Sequence, residues 1–558
     1  SGIRKLGAIP SIFTHHTDKV DVISKALEYK SNYGACRINS ALKYDVDTRP
    51  GDCGSLVYAK NPAIAGKIIG FHLAGHNGIG IAIPVSREFL ARNLNGLDVL
   101  PRQTTDARIP FSAQSKLSEI RLQNSLPLNT LALAGNCLSL GMLPKTHVPS
   151  KTQIEPSLVT GTLQEPVMKP AHLKPVKVDG QFIDPMTKGI KKILTVSPPL
   201  REEILKIVVD DVKHLHTGGD SDKRVLSFEE AITGLPNDPL YSPLNRTTSA
   251  GYPYNIGAVG PGKRPALGYD EYTFDSELAI ELRNDVETLI EQAKANQRGD
   301  VVWNATLKDE RRMKAKVDEI KTRVFTAGPQ HFTIAFRQYF LGFMVHVARN
   351  KIDNEIGVGT NVYSMDWHHT ALRLQEKGDK VIAGDFSNYD GSLLAEVMWE
   401  ILDLINEWYD DGPENAQIRQ VLFQDICHAR ILVGEELIQS DHSQPSGNPG
   451  TVIFNSLFNQ IIMRYAYMLC KEKAGLPLYC DFIDTVSMQT YGDDNVLNIS
   501  EEVVEWYNQI TISESLATIG MTYTDEAKTG ELVKYRSLAE IGYLKRNFKL
   551  SECGIYQA

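Results

Sequence analysis

The stretch MQTYGDDNVLNI, residues 488–499, places two adjacent carboxylates, Asp493 and Asp494, in a short turn between two runs that each have the length and apolar content of a β-strand. A Gly-Asp pair is an ordinary hairpin signal, so taken alone the stretch reads equally as a solvated hairpin tip. A tip does not need two side chains that repel each other. Paired carboxylates gain a use where a divalent cation neutralises them, so the question becomes whether a third carboxylate is placed to share the ion. Upstream, KVIAGDFSNYDGS (380–392) reads as a short apolar strand ending in Asp385, with Asp390 five residues further on. A strand-end carboxylate beside a hairpin-tip pair is a layout able to hold two Mg2+ ions about 3.5 to 4 Å apart, with Asp385, Asp493 and Asp494 as the metal ligands.

The rest of the chain changes texture along its length. Residues 1–95 carry short apolar runs such as GSLVYA and GIGIAIPV between Gly, Asn and Pro, the pattern of an all-β unit. From 96 to 130 the chain is polar and without periodicity, which predicts a linker. Beyond it, long amphipathic segments alternate with strands. GSLLAEVMWEILDLINEWYD places Leu394, Val397, Met398, Ile401, Leu402 and Ile405 at helical spacing, predicting a face packed on a sheet. TVIFNSLFNQIIMRYAYMLC, directly after PSGNPG, predicts a second helix. The fold class is therefore multidomain: an all-β unit followed by a large α+β unit.

At 558 residues the chain has room for several domains, which commonly run to about 100–200 residues each. The net charge of -9, from 59 basic and 68 acidic side chains, gives no overall polyanion-binding character, so any such site must be a local groove. Seven cysteines without a close CxxC pair argue against a disulfide framework and a structural zinc site, and favour a reducing compartment. No apolar run reaches the roughly 20 residues of a spanning helix, so no transmembrane segment is expected.

DFSNYDGS, PSGNPGTVIFNSLFN, YGDDN, DEAK and YLKR, in that order, resemble motifs A to E of picornavirus-like RNA-dependent RNA polymerases of the dicistrovirus and iflavirus type. KDERRMKAKVDEIKTRVF (308–325) resembles motif F, and TSAGYPY (248–254) a finger segment of the group. The resemblance implies a right-hand polymerase with fingers and palm over 131–548, and a thumb of which 549–558 would be only the start. It implies two-metal nucleotidyl transfer in replication of a positive-strand RNA genome, with Mg2+ or, in its place, Mn2+ as cofactor. The partners it implies are an RNA template and primer, nucleoside triphosphates and other replication proteins of the same polyprotein.

In 308–325 seven basic residues face four acidic ones. As a bare charge run this would be a solvated face; beside a two-metal site, Lys308, Arg312, Lys321 and Arg323 read as the cations that meet the triphosphate, with Arg323 foremost by resemblance. A carboxylate and an amide converging on a 2'-OH, which both donates and accepts, select ribose; Asp390 and Asn455 are that pair, with Ser446 and Thr451 completing the network and Gly447 giving the loop freedom. The resemblance makes Lys528 the general acid for the leaving pyrophosphate, although Ala527 stands where relatives often carry Asp. Lys545 and Arg546 would hold the primer backbone. A reverse transcriptase shares the palm carboxylates, but Asp390 with Asn455 argues for ribonucleotides. A protease carrying a non-catalytic RNA-binding scaffold is argued against by the six ordered motifs.

The first unit contains TRPGDCGSLV (48–57), with Cys53 in a Gly-rich turn, and GFHLAGHNG (70–78). These resemble the nucleophile turn and specificity strand of picornavirus-type chymotrypsin-like cysteine proteases. Cys53 would be the nucleophile, and Thr48 and His72 would read a substrate glutamine. His15 and His16 precede Cys53 by too little chain for the barrel that carries the base His. The expectation is therefore a C-terminal protease barrel, inactive by itself, in a polyprotein fragment truncated at both ends. Gln114-Ser115, in the polar stretch, is the expected processing junction on the ground that it lies in exposed chain. Localisation is expected in the host cytoplasm, at membrane-associated replication complexes reached through partners.

Overall fold

The computed structural model describes residues 150–558 except 163, 194–196, 219–221, 259 and 441. Before residue 150 it describes 3–6, 16–17, 20–23, 27–31, 34–38, 41–46, 56–59, 68–76, 78–85, 111–112, 114–120 and 137–144. The chain divides into two units, Ser1–Asp98 and Val99–Ala558.

The first unit is built on an antiparallel sheet in which His16–Thr17, Ile3–Leu6, Leu56–Ala59, Ile68–His76, Ile79–Pro84, Ala41–Asp45 and Val20–Ile23 lie side by side in that order. Leu42 and Tyr44 alternate along one strand to the same face, where they pack with Val57 and Ala82. Leu27–Ser31 and Gly34–Ile38 form a separate hairpin.

The second unit contains two larger sheets. One joins Cys137–Met142, Glu436–Ser440, Arg430–Val433, Trp303–Leu307 and Val324–Ala327. The other is antiparallel throughout and joins Val486–Tyr491, Asp494–Ile499, Lys380–Ser387 and Thr522–Asp525. The helix Thr451–Lys473 is buried nearly all round, its polar Asn455, Ser456, Asn459, Gln460 and Arg464 included, because it runs through the middle of the unit: it touches the strand Val486–Tyr491 and the helices Glu202–Leu215 and Gln509–Ala517. Among the described residues no helix is long and apolar enough to cross a membrane.

Two expectations are corrected. The helix Ala395–Tyr409 buries the predicted Val397, Met398, Ile401, Leu402 and Ile405, but also Trp399, Leu404 and Trp408, and its main neighbours are the helices Pro413–Cys427 and Thr451–Lys473, not a sheet. The polar stretch 96–130 is not all linker: Ser115, 2% exposed, donates its hydroxyl to the Asp285 carboxylate, and Leu117 is equally buried. Its neighbour Gln114 is exposed, so the Gln114-Ser115 bond does not lie in wholly exposed chain. Residues 549–558 form a hairpin, Lys549–Leu550 with Tyr556–Gln557, folded back onto the helix Met365–Arg373: the Tyr556 amide donates to His368 Nδ1 at 3.2 Å and its hydroxyl to Gln375 Oε1 at 3.0 Å. This end of the chain packs on the helix against which Phe548 stacks, through Trp367 at 4.5 Å.

Candidate active site

The hairpin Val486–Tyr491/Asp494–Ile499 pairs Tyr491 with Asp494, leaving Gly492 and Asp493 as a two-residue turn. Gly492, at φ 64°, supplies the left-handed conformation such a turn needs. The strand Lys380–Ser387 pairs with this hairpin up to Gly384, opposite Asn495, so Asp385 follows the last paired position and comes beside the hairpin tip. Burial pushes the Asp494 pKa up to about 6, helped by the charges of Asp493 and Asp385 and opposed by Lys545 and Lys528. Asp493 opens onto solvent on one side, yet the protein crowded around its other side and the neighbouring Asp385 and Asp390 raise its pKa as well. Lys528 Nζ stands 2.5 Å from Asp385 Oδ2.

Among the described residues no group of three His, Cys, Asp or Glu side chains is placed to hold a metal ion by itself. The donor set fits an ion of another kind. Asp493 and Asp494, whose pKa values neighbouring carboxylates help to raise, mark an excess of negative charge, and Mg2+ takes only a few carboxylates while substrate phosphates and water fill its shell.

A cavity of about 530 Å³ opens beside the hairpin tip, lined by Asp493 together with Asp390, Asn455, Arg312, Arg323 and Lys528, whereas Asp385 and Asp494 are not part of its lining. Asn455 Nδ2 donates to Asp390 Oδ1 at 2.8 Å, as the expected ribose-selecting pair would. Burial raises the Asp390 pKa, while the Asn455 amide and Arg323 oppose the rise. Ser446 and Thr451 line the same cavity, but neither bonds to the pair. Gln444, not Ser446 or Thr451, holds the other end of the amide, its Nε2 donating to Asn455 Oδ1 at 3.0 Å. Thr451 Oγ1 instead donates to the Asn448 carbonyl at 2.7 Å, and Ser446 Oγ accepts from the Thr326 amide at 3.4 Å. Gly447 is required for contact more than for freedom, since a Cβ there would lie 2.0 Å from the Thr326 carbonyl oxygen.

Of the four predicted cations, Arg323 and Arg312 line the cavity, whereas Lys308 and Lys321 do not. Lys321 pairs with Glu319, and Lys308 is exposed, 3.9 Å from Glu310. Glu310 also binds Arg323, whose Nε donates at 2.6 Å. Lys192 is a cation the sequence reading missed: it lines the cavity, and burial together with Arg312 and Arg323 lowers its pKa. Its KGIKKI context carries no signal beyond another basic cluster. Lys545 sits at the turn of the hairpin Gly542–Tyr543/Arg546–Asn547, and the Arg546 guanidinium lies over the Tyr363 ring, 5.5 Å from its centre.

In the first unit, His72 is 3% exposed and its Nδ1 lies 2.5 Å from the Tyr44 hydroxyl. Tyr44, absent from the sequence reading, thereby orients the ring. Cys53 and Thr48 lie outside the described residues.

Residues 159–557 match the family described as viral RNA-dependent RNA polymerase, and residues 20–78 match the 3C cysteine protease (picornain 3C) family. The chain belongs to the viral RNA-dependent RNA polymerases, a family that uses divalent metal ions, and carries part of a 3C-type protease ahead of the polymerase. It is 39% identical to the replicase polyprotein of Cricket paralysis virus over 98% of the chain and 32% of that protein. It is 38% identical to the replicase polyprotein of Acute bee paralysis virus over 95% of the chain and 29% of that protein. The chain thus spans about a third of the length of the curated relatives it matches. Among solved structures, a Sicinivirus 3Dpol RNA dependent RNA polymerase superimposes with a TM-score of 0.62 at 22% identity, covering 74% of this chain and 82% of that one, a likeness of fold.

Proposed function

We propose that the chain extends an RNA primer on an RNA template with ribonucleoside triphosphates, as the polymerase of a positive-strand RNA virus. The observation that carries this reading is the Asn455–Asp390 hydrogen bond, 2.8 Å, between residues that line the same cavity as Asp493 at the hairpin tip. A donor and an acceptor meeting a 2'-OH beside a two-metal donor set suit ribonucleotide transfer better than deoxyribonucleotide transfer. Arg323, Arg312 and Lys192 take up triphosphate charge, and Lys528 gives a proton to the leaving pyrophosphate. Lys545 and Arg546 hold the primer backbone. Asp385, Asp493 and Asp494 would hold Mg2+, or Mn2+ in its place, which when bound supplies activation of the primer hydroxyl and neutralisation of the pyrophosphate.

In the protease unit, His72 oriented by Tyr44 would accept a glutamine side chain together with Thr48, and Cys53 would be the nucleophile. Other replication proteins of the same polyprotein would bring the chain to membrane-associated complexes in the host cytoplasm, a placement supported by the resemblance alone. The polymerase reading is tested by extension of a labelled RNA primer on a heteropolymeric RNA template. The chain should incorporate only the templated ribonucleotide and only with a divalent ion, and Asp493→Asn should remove nearly all incorporation while leaving RNA binding intact. Wild-type incorporation by that variant, or incorporation without a template, would overturn the reading.

A further inference from the structure

We infer that Asp525 is the positioning residue that presents Lys528 to the metal-binding carboxylates, by closing a preformed turn over residues 525–530. The inference rests on the polymerase reading above. It concerns an acid three residues before the lysine; the position immediately before it, where relatives often carry Asp, holds Ala527.

Asp525 ends the strand Thr522–Asp525 and pairs with Gly384, the residue before Asp385. Its carboxylate is 3% exposed. Oδ2 accepts from the Thr529 amide at 3.0 Å and the Thr529 hydroxyl at 3.1 Å, and Oδ1 accepts from the Gly530 amide at 3.2 Å. The Asp525 carbonyl accepts from the Lys528 amide at 3.0 Å. Three successive residues therefore donate to one aspartate. Burial alone would raise the Asp525 pKa; the bonds from Thr529 and Gly530 outweigh it and hold the carboxyl below its ordinary range.

Inside this turn Lys528 takes φ 56° and Gly530 φ 82°, left-handed conformations that an open loop would not favour for a lysine. The Lys528 side chain is 52% exposed, so packing does not hold it. What aims its ammonium at Asp385 is the backbone of the turn. Glu526, the nearer acid, points elsewhere: it accepts from Arg536 Nη1 at 3.0 Å and from the Gly542 amide at 3.2 Å. Arg536 in turn exchanges two backbone hydrogen bonds with Val381, each 2.8 Å. Both flanks of the turn are thus tied to the strand that carries Asp385, one through Gly384 and the other through Val381.

The test uses the 558-residue chain in single-nucleotide incorporation, with amide hydrogen exchange as a readout independent of activity. Asp525→Ala should lower kcat about tenfold or more while the nucleotide KM stays within about twofold, the signature of a contact that matters in the transition state. Asp525→Asn, which keeps an acceptor for the turn, should stay within about threefold of wild type. In a Lys528→Leu background Asp525→Ala should add less than about a twofold loss, because the two residues act as one unit. Should Asp525→Ala fail to fold, Gly530→Ala replaces it: a Cβ there meets nothing within 4 Å, so the variant strains the backbone of the turn alone and should lower kcat with only a small fall in melting temperature.

In wild type the Thr529 and Gly530 amides should exchange slowly, and in Asp525→Ala rapidly. Full additivity with Lys528→Leu, a loss confined to KM, an Asn variant as damaged as the Ala variant, unchanged kcat in Gly530→Ala, or rapid exchange of both amides in wild type would each overturn the assignment. A wild-type chain that incorporates nothing would refute the polymerase reading instead, and the exchange data would still decide whether Asp525 closes the turn.

Discussion

Asn455→Ala removes one side chain from a chain of three, Gln444–Asn455–Asp390, and leaves a buried carboxylate without its amide donor. A hydrogen bond to a charged group is worth about 1.5–3 kcal/mol, which corresponds to roughly 10- to 150-fold in rate if the bond is used mainly when a 2'-OH joins the network. With ATP on a templating uridine, kcat/KM should fall by about that factor. With 2'-dATP, which has no hydroxyl for the network to grip, it should fall by less than about threefold, so the preference for ribose should collapse. The sign of the pH effect follows from the same geometry. Burial already raises the Asp390 pKa and the Asn455 amide opposes that rise. Removing the amide raises the pKa further, so the ribonucleotide rate of the variant should recover partly as pH increases. Steady-state single-nucleotide incorporation with both substrates between pH 6 and pH 9 measures all three quantities. Equal losses on ATP and 2'-dATP would show that Asn455 and Asp390 serve folding, and the sugar-selection argument would be wrong.

Asp494→Asn should stabilise the metal-free chain. The folded pKa of Asp494, about 6, lies above its ordinary value, so its contribution is favourable in acid and is lost as pH rises through 6. At about 1.4 kcal/mol per unit, discounted for the solvent that reaches the cavity, urea unfolding in EDTA should show a gain of ~1–2 kcal/mol at pH 7.5 and none at pH 4; the reverse trend would contradict the assigned crowding of carboxylates. Arg323→Ala should raise the nucleotide KM about tenfold, whereas Lys308→Ala and Lys321→Ala should change it less than about twofold, because neither lysine lines the cavity; a large effect of either lysine would mean that the cavity is not the triphosphate path. Glu355→Gln should cost about 1.5–3 kcal/mol in chemical denaturation, since it weakens the bonds of 2.9 and 3.1 Å that the wholly buried Arg464 guanidinium donates to Glu355 but leaves its 2.6 Å bond to Asp211 in place.

Residues whose role is written in local spacing were legible in the sequence. The Gly492-Asp493 turn, the strand ending near Asp385 and the helix after PSGNPG follow from turn chemistry and apolar periodicity, and the Asn455–Asp390 pair from motif order. Residues whose role depends on partners far along the chain were not. Lys192 reaches the cavity from more than a hundred residues before Arg312, and its basic context does not distinguish it from a solvated cluster. Gln444 and Thr451 are both polar residues near the same loop, and only the fold decides that the first meets Asn455 while the second meets a backbone carbonyl. Lys308 and Lys321 share a charge run with Arg323, but Lys308 lies 3.9 Å from Glu310 and Lys321 pairs with Glu319, and neither lines the cavity. The helix 395–409 read as sheet-facing because its apolar stripe is clear, yet Trp399, Leu404 and Trp408 widen the buried surface to fit between helices.

The adjacent carboxylates that open the sequence reading also show how a site can be prepared before its ion arrives. Repulsion at Asp493 and Asp494 would tend to open a solvated two-residue turn. Here the helix Thr451–Lys473 clamps the backbone of that turn: Ser456 Oγ accepts from the Gly492 amide at 2.8 Å, and Asn459 Nδ2 donates to the carbonyls of Gly492 and Asp493 at 3.0 and 3.2 Å. The clamp continues inward, because Asn495 Nδ2 donates to Asn459 Oδ1 at 3.3 Å and the Tyr523 hydroxyl donates to Asn495 Oδ1 at 2.7 Å. Ser456, Asn459 and Asn495 are at most 1% exposed. Polar groups buried so deeply destabilise a core unless each finds a partner, and an apolar packing of the same shape would stabilise it more simply. Their presence at this one turn is explained by what they hold, a backbone geometry that keeps two like charges side by side while Lys528 and Lys545 balance part of the charge. The catalytic geometry is thereby carried by hydrogen bonds to main-chain atoms, which do not depend on the protonation of either aspartate.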